Sequence, residues 1–181
     1  MKRCFLLLLV LLAGVFHHSV LTTTAVGVGA EERIVRGNSL SPLIKAGDRI
    51  EIHYDVREIR RGDIVAVRRP GRLDPIVKIV KGLPGDRFQL REAKEGVNVL
   101  VNGEVLKNSS GQPYKFSGKR KKMLSLYEKD YGGVIPGDAY LLLGNMVSGS
   151  LDSTRFGLID KEEIMGKVRP AEMEMHNRGN K

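Results

Sequence analysis

The run Ile76-Val77-Lys78-Ile79-Val80 limits what this chain can fold into more than any other stretch of it. β-Branched side chains are stiff at χ1, which costs them in a helix and suits them to a pleated strand. Side chains alternate along a strand, so Lys78 shares one face with Ile76 and Val80 while Val77 and Ile79 point to the other. Both faces are apolar, and the strand reads as one covered on both sides. A lone ammonium in such surroundings faces a desolvation penalty that favours loss of its proton, and a neutral lysine is a base. In water a lysine titrates near 10.4, leaving roughly one molecule in a thousand unprotonated at pH 7, so a lysine tuned downward implies a task. The ordinary alternative is a strand lysine whose long stem snorkels its charge to water.

Beyond residue 30 the chain reads as mainly β. Arg49-Ile50-Glu51-Ile52-His53-Tyr54 alternates with period two, and Asp63-Ile64-Val65-Ala66-Val67 follows the turn-forming Arg61-Gly62. Val97, Val99 and Val101 alternate up to Asn102-Gly103, after which Glu104-Val105-Leu106 returns, and Asn-Gly between such segments is the strongest local hairpin signal. Tyr140-Leu141-Leu142-Leu143 ends at Gly144, and Glu163-Ile164-Met165-Gly166-Lys167-Val168 reads as a closing strand. No long segment carries helical periodicity, and residues 123–129 hold at most one short turn. The Gly- and Lys-rich stretch 107–122 reads as an excursion from the core, with Lys119-Arg120-Lys121-Lys122 as a solvated loop in preference to a lipid-headgroup contact.

A chain of 181 residues with 41% hydrophobic content builds one domain with a real core. Its formal charge of +9 suits an anionic partner surface, lipid or nucleic acid, without choosing between them. Cys4 is the single cysteine, which excludes an intramolecular disulfide and a cysteine-built metal site, and His17, His18, His53 and His176 are not spaced as metal ligands. No cofactor or metal is expected. Lys2 and Arg3 precede an uncharged apolar stretch that begins at Phe5 and continues to Val28, long enough for the roughly 20 residues a spanning helix needs. The basic end is expected on the cytoplasmic side. Residues 1–30 therefore read as a membrane anchor, the competing reading being a cleaved secretory signal with small residues at Val28-Gly29-Ala30. Either way the chain from Glu31 onward lies outside the cytoplasm.

Between this segment and the first strand lies Arg36-Gly37-Asn38-Ser39-Leu40-Ser41-Pro42, a turn able to present a hydroxyl, with Ser39 and its near competitor Ser41 as candidates. A serine becomes a nucleophile when a base removes its proton, and a neutral lysine serves in a serine–lysine pair. The order of motifs resembles the type I signal peptidases, whose pattern is Gly-x-Ser-Met-x-Pro, then Lys-Arg-x-x-Gly-x-Pro-Gly-Asp, then Gly-Asp-Asn-x-x-x-Ser-x-Asp-Ser-Arg-x-x-Gly. Here Ser39 falls on the nucleophile, with Leu40 for the methionine and Pro42 in place. Lys78 falls on the general base, ahead of an unaltered Gly82-Leu83-Pro84-Gly85-Asp86. The third motif runs from Gly144 to Gly157, with Ser150 matching the serine that orients the lysine and Asp152 the aspartate behind it. Asn145, Met146 and Thr154 replace the usual aspartate, asparagine and arginine, Arg155 stands one place late, and Ile79 replaces the arginine that follows the lysine.

The resemblance implies an antiparallel β-sheet or partly open barrel as catalytic core, preceded by one N-terminal transmembrane helix. Residues 31–181 would form an extracytoplasmic peptidase domain, with a small β excursion inserted at about 90–135. It implies a serine endopeptidase of the bacterial inner membrane that removes signal peptides from exported preproteins, with membrane lipid and preproteins as partners and no nucleic acid. The substrate would lie as an extended strand, its small side chains in shallow pockets to which Val35, Leu40 and Val77 contribute; ordinary packing is the alternative for these three. The Ser39 N–H would supply one oxyanion donor. Three rivals share this fold: a specialised conjugation-associated or mitochondrial inner-membrane relative, a LexA-like self-cleaving repressor, and an inactive membrane-anchored binding module. The apolar N-terminus and the lack of a helix-turn-helix pattern disfavour the repressor.

Overall fold

The structure is a computed structural model that describes residues 29–171; the expected anchor therefore lies almost wholly outside the described residues. Among these residues no helix is long and apolar enough to cross a membrane.

Among the described residues eleven strands and two α-helices follow one another. β1 (Ala30–Ile34) leads into the Ser39 turn, and β2 (Arg49–His53), β3 (Ile64–Val67) and β4 (Ile76–Gly82) follow. Next come β5 (Phe88–Ala93), β6 (Gly96–Val101), β7 (Glu104–Val105), β8 (Lys115–Phe116) and the helix α1 (Gly118–Asp130). The chain then returns through β9 (Ala139–Leu143), the short helix α2 (Ser153–Phe156), β10 (Ile159–Asp160) and β11 (Ile164–Pro170). Seven strands make one sheet in the order β1-β2-β11-β3-β4-β9-β10, and every pairing in it is antiparallel. The edge strands β1 and β10 do not pair with one another, so the sheet stays open and no barrel closes. β11, the expected closing strand, lies inside the sheet between β2 and β3.

The smaller sheet is the β5-β6 hairpin with β7 and β8 on the other edge of β6. Asn102 and Gly103 both take left-handed backbone angles between the paired Val101 and Glu104, the two-residue turn their sequence demands. Gly82 ends β4 where a Cβ would strike Ile135 and Leu141, and Leu83-Pro84-Gly85-Asp86 turns the chain from one sheet to the other. Asp86 fixes that turn by accepting from the Leu83 N–H, from Arg61 and from Asn102.

Three apolar clusters cover the sheets. Val65, Val67, Ile76, Val80, Tyr140, Leu142 and Ile159 form one, and Leu40, Ile44, Ile50, Ile52, Ala66 and Ile79 form another. The third joins the two sheets, with Val97, Val99, Tyr114, Phe116, Leu124, Leu141 and Leu143. β9 serves two of them, which is why its five residues are all buried and its sequence is continuously apolar.

Two sequence expectations fail here. Residues 123–129 are part of a helix that already begins at Gly118, so Lys119-Arg120-Lys121-Lys122 is helical rather than loop. Only Leu124 of α1 is buried, a stripe too narrow to register as helical periodicity. The stretch 107–122 is also no mere excursion, because Tyr114 and Phe116 in it are fully buried. Leu124 is the apolar pin of α1, and truncating a buried leucine to alanine costs about 2–5 kcal/mol. Leu124→Ala is expected to lower stability within that range in urea unfolding, with α1 amides losing hydrogen-exchange protection before β3 and β4.

Candidate active site

Lys78 sits at the middle of β4 with 4% of its surface exposed. Its Nζ donates to Ser39 Oγ at 2.9 Å and to the Val77 carbonyl at 2.6 Å. Ser39, half-buried at the head of its turn, is thus brought to the lysine across 39 positions of sequence. Burial brings the Lys78 amine down to about 8; the negative charge of Asp152 opposes this, and the positive charge of Arg72 adds to it. An amine near 8 leaves roughly a tenth of the molecules neutral at pH 7, some hundredfold more than for a solvated lysine.

The turn that carries Ser39 is held from behind. Its carbonyl accepts from the N–H groups of Asn145 at 2.7 Å and Met146 at 3.1 Å, which follow β9. Asn145 is buried, and its amide nitrogen donates to the Ser41 carbonyl and to Ser109 Oγ, both at 2.8 Å. Its amide oxygen accepts from Ser109 N–H at 2.9 Å. This assigns a role to one departure from the motif pattern: a carboxylate at this position could not donate to the Ser41 carbonyl. Gly144 precedes it, where a Cβ would strike Ser150 Oγ and the Ser39 carbonyl oxygen. Its own carbonyl accepts from the buried Tyr114 hydroxyl at 2.6 Å, and its N–H donates to Asp152 at 3.2 Å.

Asp152 is buried and caps α2, accepting from Thr154 N–H at 3.1 Å and from Thr154 Oγ1 at 2.6 Å. Arg120 of α1 faces it with one nitrogen 3.3 Å from each carboxylate oxygen. The same guanidinium donates to Thr154 Oγ1 and to the Val147 carbonyl, and lies over the Phe116 ring. Ser150 is fully buried, yet its Oγ has no hydrogen-bond partner among the described residues, and Lys78 does not bond to it.

A groove of about 750 Å³ opens in front of the pair, lined by Val35, Leu40 and Val77 as anticipated and also by Ile34, Ile52 and Met146. Val35, Leu40 and Val77 pack into an apolar cluster at the same time, so lining and packing coexist. An exposed ion pair, Arg36 to Asp74 at 2.8 Å, ties the two walls together. Among the described residues no group of His, Cys, Asp or Glu is arranged to hold a metal.

The structure brings Ser39 and Lys78 together with Asp152 on the segment behind them, leaves Ser150 unbonded to the lysine, and adds Arg120, Tyr114 and Ser109, which the sequence does not single out. Arg120 was hidden in a run of four basic residues that looked uniformly solvated. The bulk and aromatic character of Tyr114 and Phe116 within that polar stretch were the available signal.

The family model described as "Signal peptidase, peptidase S26" matches residues 4–171. Signal peptidase IB of Staphylococcus aureus is 32% identical over 142 residues, covering 74% of this chain and 73% of that protein. A Synechocystis protein named "Probable signal peptidase I-2" is 30% identical over 150 residues, covering 77% of this chain and 61% of its own length. A crystal structure of a signal peptidase I from Enterococcus faecalis aligns with a TM-score of 0.45 and 21% identity, covering 62% of this chain and 98% of that one.

Two outcomes follow from the geometry. A lysine whose folded-state titration lies below its unfolded value of 10.5 costs stability while protonated; the unfolded chain then holds more protons between pH 8 and 10.5, so stability rises with pH across that window. Lys78→Met is expected to stabilise the fold at pH 7 by on the order of 3 kcal/mol, less the two lost hydrogen bonds, and the gap closes towards pH 10.5 in urea titrations. Asn145→Asp is expected to cost about 1–3 kcal/mol in the same assay, because the buried Ser41 carbonyl loses its donor. With the Ser39 turn and the buried Lys78 side by side and the family model spanning residues 4–171, the chain belongs to the signal peptidase family of peptide-bond hydrolases, peptidase S26.

Proposed function

We propose that this protein is a membrane-bound serine endopeptidase that removes N-terminal signal peptides from exported preproteins, with Ser39 as nucleophile and neutral Lys78 as general base. The observation that carries the reading is the 2.9 Å contact between Lys78 Nζ and Ser39 Oγ, made by an amine that burial holds near 8. In the neutral state the same contact runs the other way, the Ser39 hydroxyl donating to the amine. As Oγ attacks the scissile carbonyl, its proton passes to Nζ, and the tetrahedral oxyanion is met by the Ser39 N–H. Collapse of the intermediate breaks the C–N bond, and Lys78 returns the proton to the leaving amine, the N-terminus of the mature protein. Water, deprotonated by the same amine, then hydrolyses the acyl-enzyme and regenerates Ser39. Ser150 is the orienting group in this reading; its buried hydroxyl makes no hydrogen bond among the described residues and would have to turn to the lysine during the reaction. Asp152 fixes the wall on which Ser150 and Gly144 stand.

The groove suits an extended peptide with small side chains. Val35, Leu40 and Val77 form its apolar floor, and β1 offers an edge beside which a substrate strand can run. The apolar segment before residue 29 anchors the enzyme in the bacterial cytoplasmic membrane with Glu31 onward outside. Ser39 stands close behind that segment in sequence, at the level where a preprotein cleavage site leaves the bilayer.

The test is cleavage of a preprotein carrying an Ala-x-Ala site by the full chain in detergent. Wild type is expected to cleave, with an ascending limb centred near pH 8, and Ser39→Ala and Lys78→Ala are expected to lose at least about 10³ in kcat. Cleavage that survives Ser39→Ala removes the assignment; absence of cleavage by wild type favours a binding module.

A further inference from the structure

Asp152 is a buried carboxylate with a charge-bearing partner that neither the motifs nor the preceding mechanism employ. We propose that Arg120, reaching in from α1, neutralises Asp152 and thereby keeps Lys78 usable as a base at neutral pH. It is a positioning residue that acts through Asp152 and does not touch substrate.

The geometry carries this. Arg120 is the one member of Lys119-Arg120-Lys121-Lys122 that turns inward, with 14% of its side chain exposed. Its fork spans both oxygens of Asp152, Thr154 Oγ1 and the Val147 carbonyl, and the Phe116 ring covers its face. Four contacts from one guanidinium fix it at a single place. Position 154, where the motif pattern has arginine, holds a buried threonine, and position 79, where it has another, holds a buried isoleucine. Among the described residues Arg120 makes the only salt bridge to Asp152.

The charges around Lys78 set the sign. Asp152 draws the amine towards its protonated form and Arg72, on the β3–β4 loop, pushes the other way. Arg155 on α2 lies near Arg120 and donates to the Ser150 carbonyl, and Tyr114 stays neutral because burial and Asp152 both raise its phenol. Lys81, further along β4, lies over the Tyr114 ring and donates to the Lys107 carbonyl. Asp152 still acts on Lys78 with Arg120 in place, and the guanidinium held against the carboxylate offsets part of that pull. Without Arg120, Gly144 N–H, Thr154 N–H and Thr154 Oγ1 still hold the carboxylate in place, and its charge, no longer faced by the guanidinium, favours the ammonium of Lys78.

The experiment measures Lys78 directly, by the pH dependence of its ¹³Cε resonance in the full chain in detergent, the signal being identified by its absence in Lys78→Met. Arg120→Gln is expected to move the midpoint upward by about one unit, and Arg120→Lys, which keeps a charge without the fork, by about half as much. If Arg120→Gln gives no folded protein, Arg120→Lys carries the comparison. An unmoved or lowered midpoint in whichever folded variant is read overturns the proposal. A kinetic arm rests on the peptidase reading: on an Ala-x-Ala preprotein, kcat at pH 7 should fall about tenfold in Arg120→Gln and recover by pH 10, with KM unchanged. A loss equal at every pH overturns the proposal in favour of a purely structural role. Because the resonance needs no turnover, an inactive wild type would sink the peptidase reading and leave the Arg120 result standing on its own measurement.

Discussion

Everything in this molecule that bears on chemistry follows from one uncomfortable interaction, a primary amine confined among β-branched side chains with a hydroxyl 2.9 Å away. Solvent would stabilise the ammonium, so the amine is proton-poor only while water is kept out. Apolar clusters cover β4 on both faces of the seven-stranded sheet, and neighbouring strands fix its register: Val65 opposite Lys78, and Leu142 opposite Val80. The cost is a protonated lysine that weakens the fold at neutral pH, and the apolar clusters on either side of the sheet offset it. A site built this way trades stability for reactivity at a single side chain.

The smaller sheet and α1 then take on a meaning that their sequence concealed. Each sends a polar strut to the end of β9 and the segment after it: Tyr114 to the Gly144 carbonyl, Ser109 to the Asn145 amide, Arg120 to Asp152. These bonds hold the segment against which Ser39 rests its carbonyl. Tyr114 is buried and Arg120 half-buried, where a hydrogen bond is strong and an unpaired group expensive. The inserted elements are thus the back wall of the site, and the large sheet is its floor.

This division explains what could be read from the sequence. Period-two patterning gave away β2 and β6, a short apolar run after Arg61-Gly62 gave away β3, and Asn102-Gly103 gave away the hairpin, because in each case local chemistry and final structure agree. Lys78 announced itself as a charge where its neighbours forbade one, and Ser39 lay in a turn that Gly37 and Pro42 punctuate. α1 could not be seen, since one buried leucine does not make a stripe and its attachments are tertiary: Arg120 to Asp152, Glu128 to the Leu90 N–H, and Tyr127 packed against Gly157. Arg120 was illegible for the same reason. Nothing local distinguishes it from Lys119 or Lys121, and only the fold decides which of these cations meets a buried carboxylate.

Where the partner of Asp152 comes from also affects how the site assembles. An arginine at position 154 would be local, arriving with Asp152 on the same turn of chain. Arg120 lies 32 positions away on a helix with a weak apolar face of its own, so the charge of Asp152 is neutralised only once α1 has docked. Before docking, the carboxylate is a cost to burying the region between β9 and α2; after it, the pairing repays that cost and locks Phe116 beneath the guanidinium. The charge environment of the Lys78 amine and the docking of the helix are therefore coupled through one ion pair.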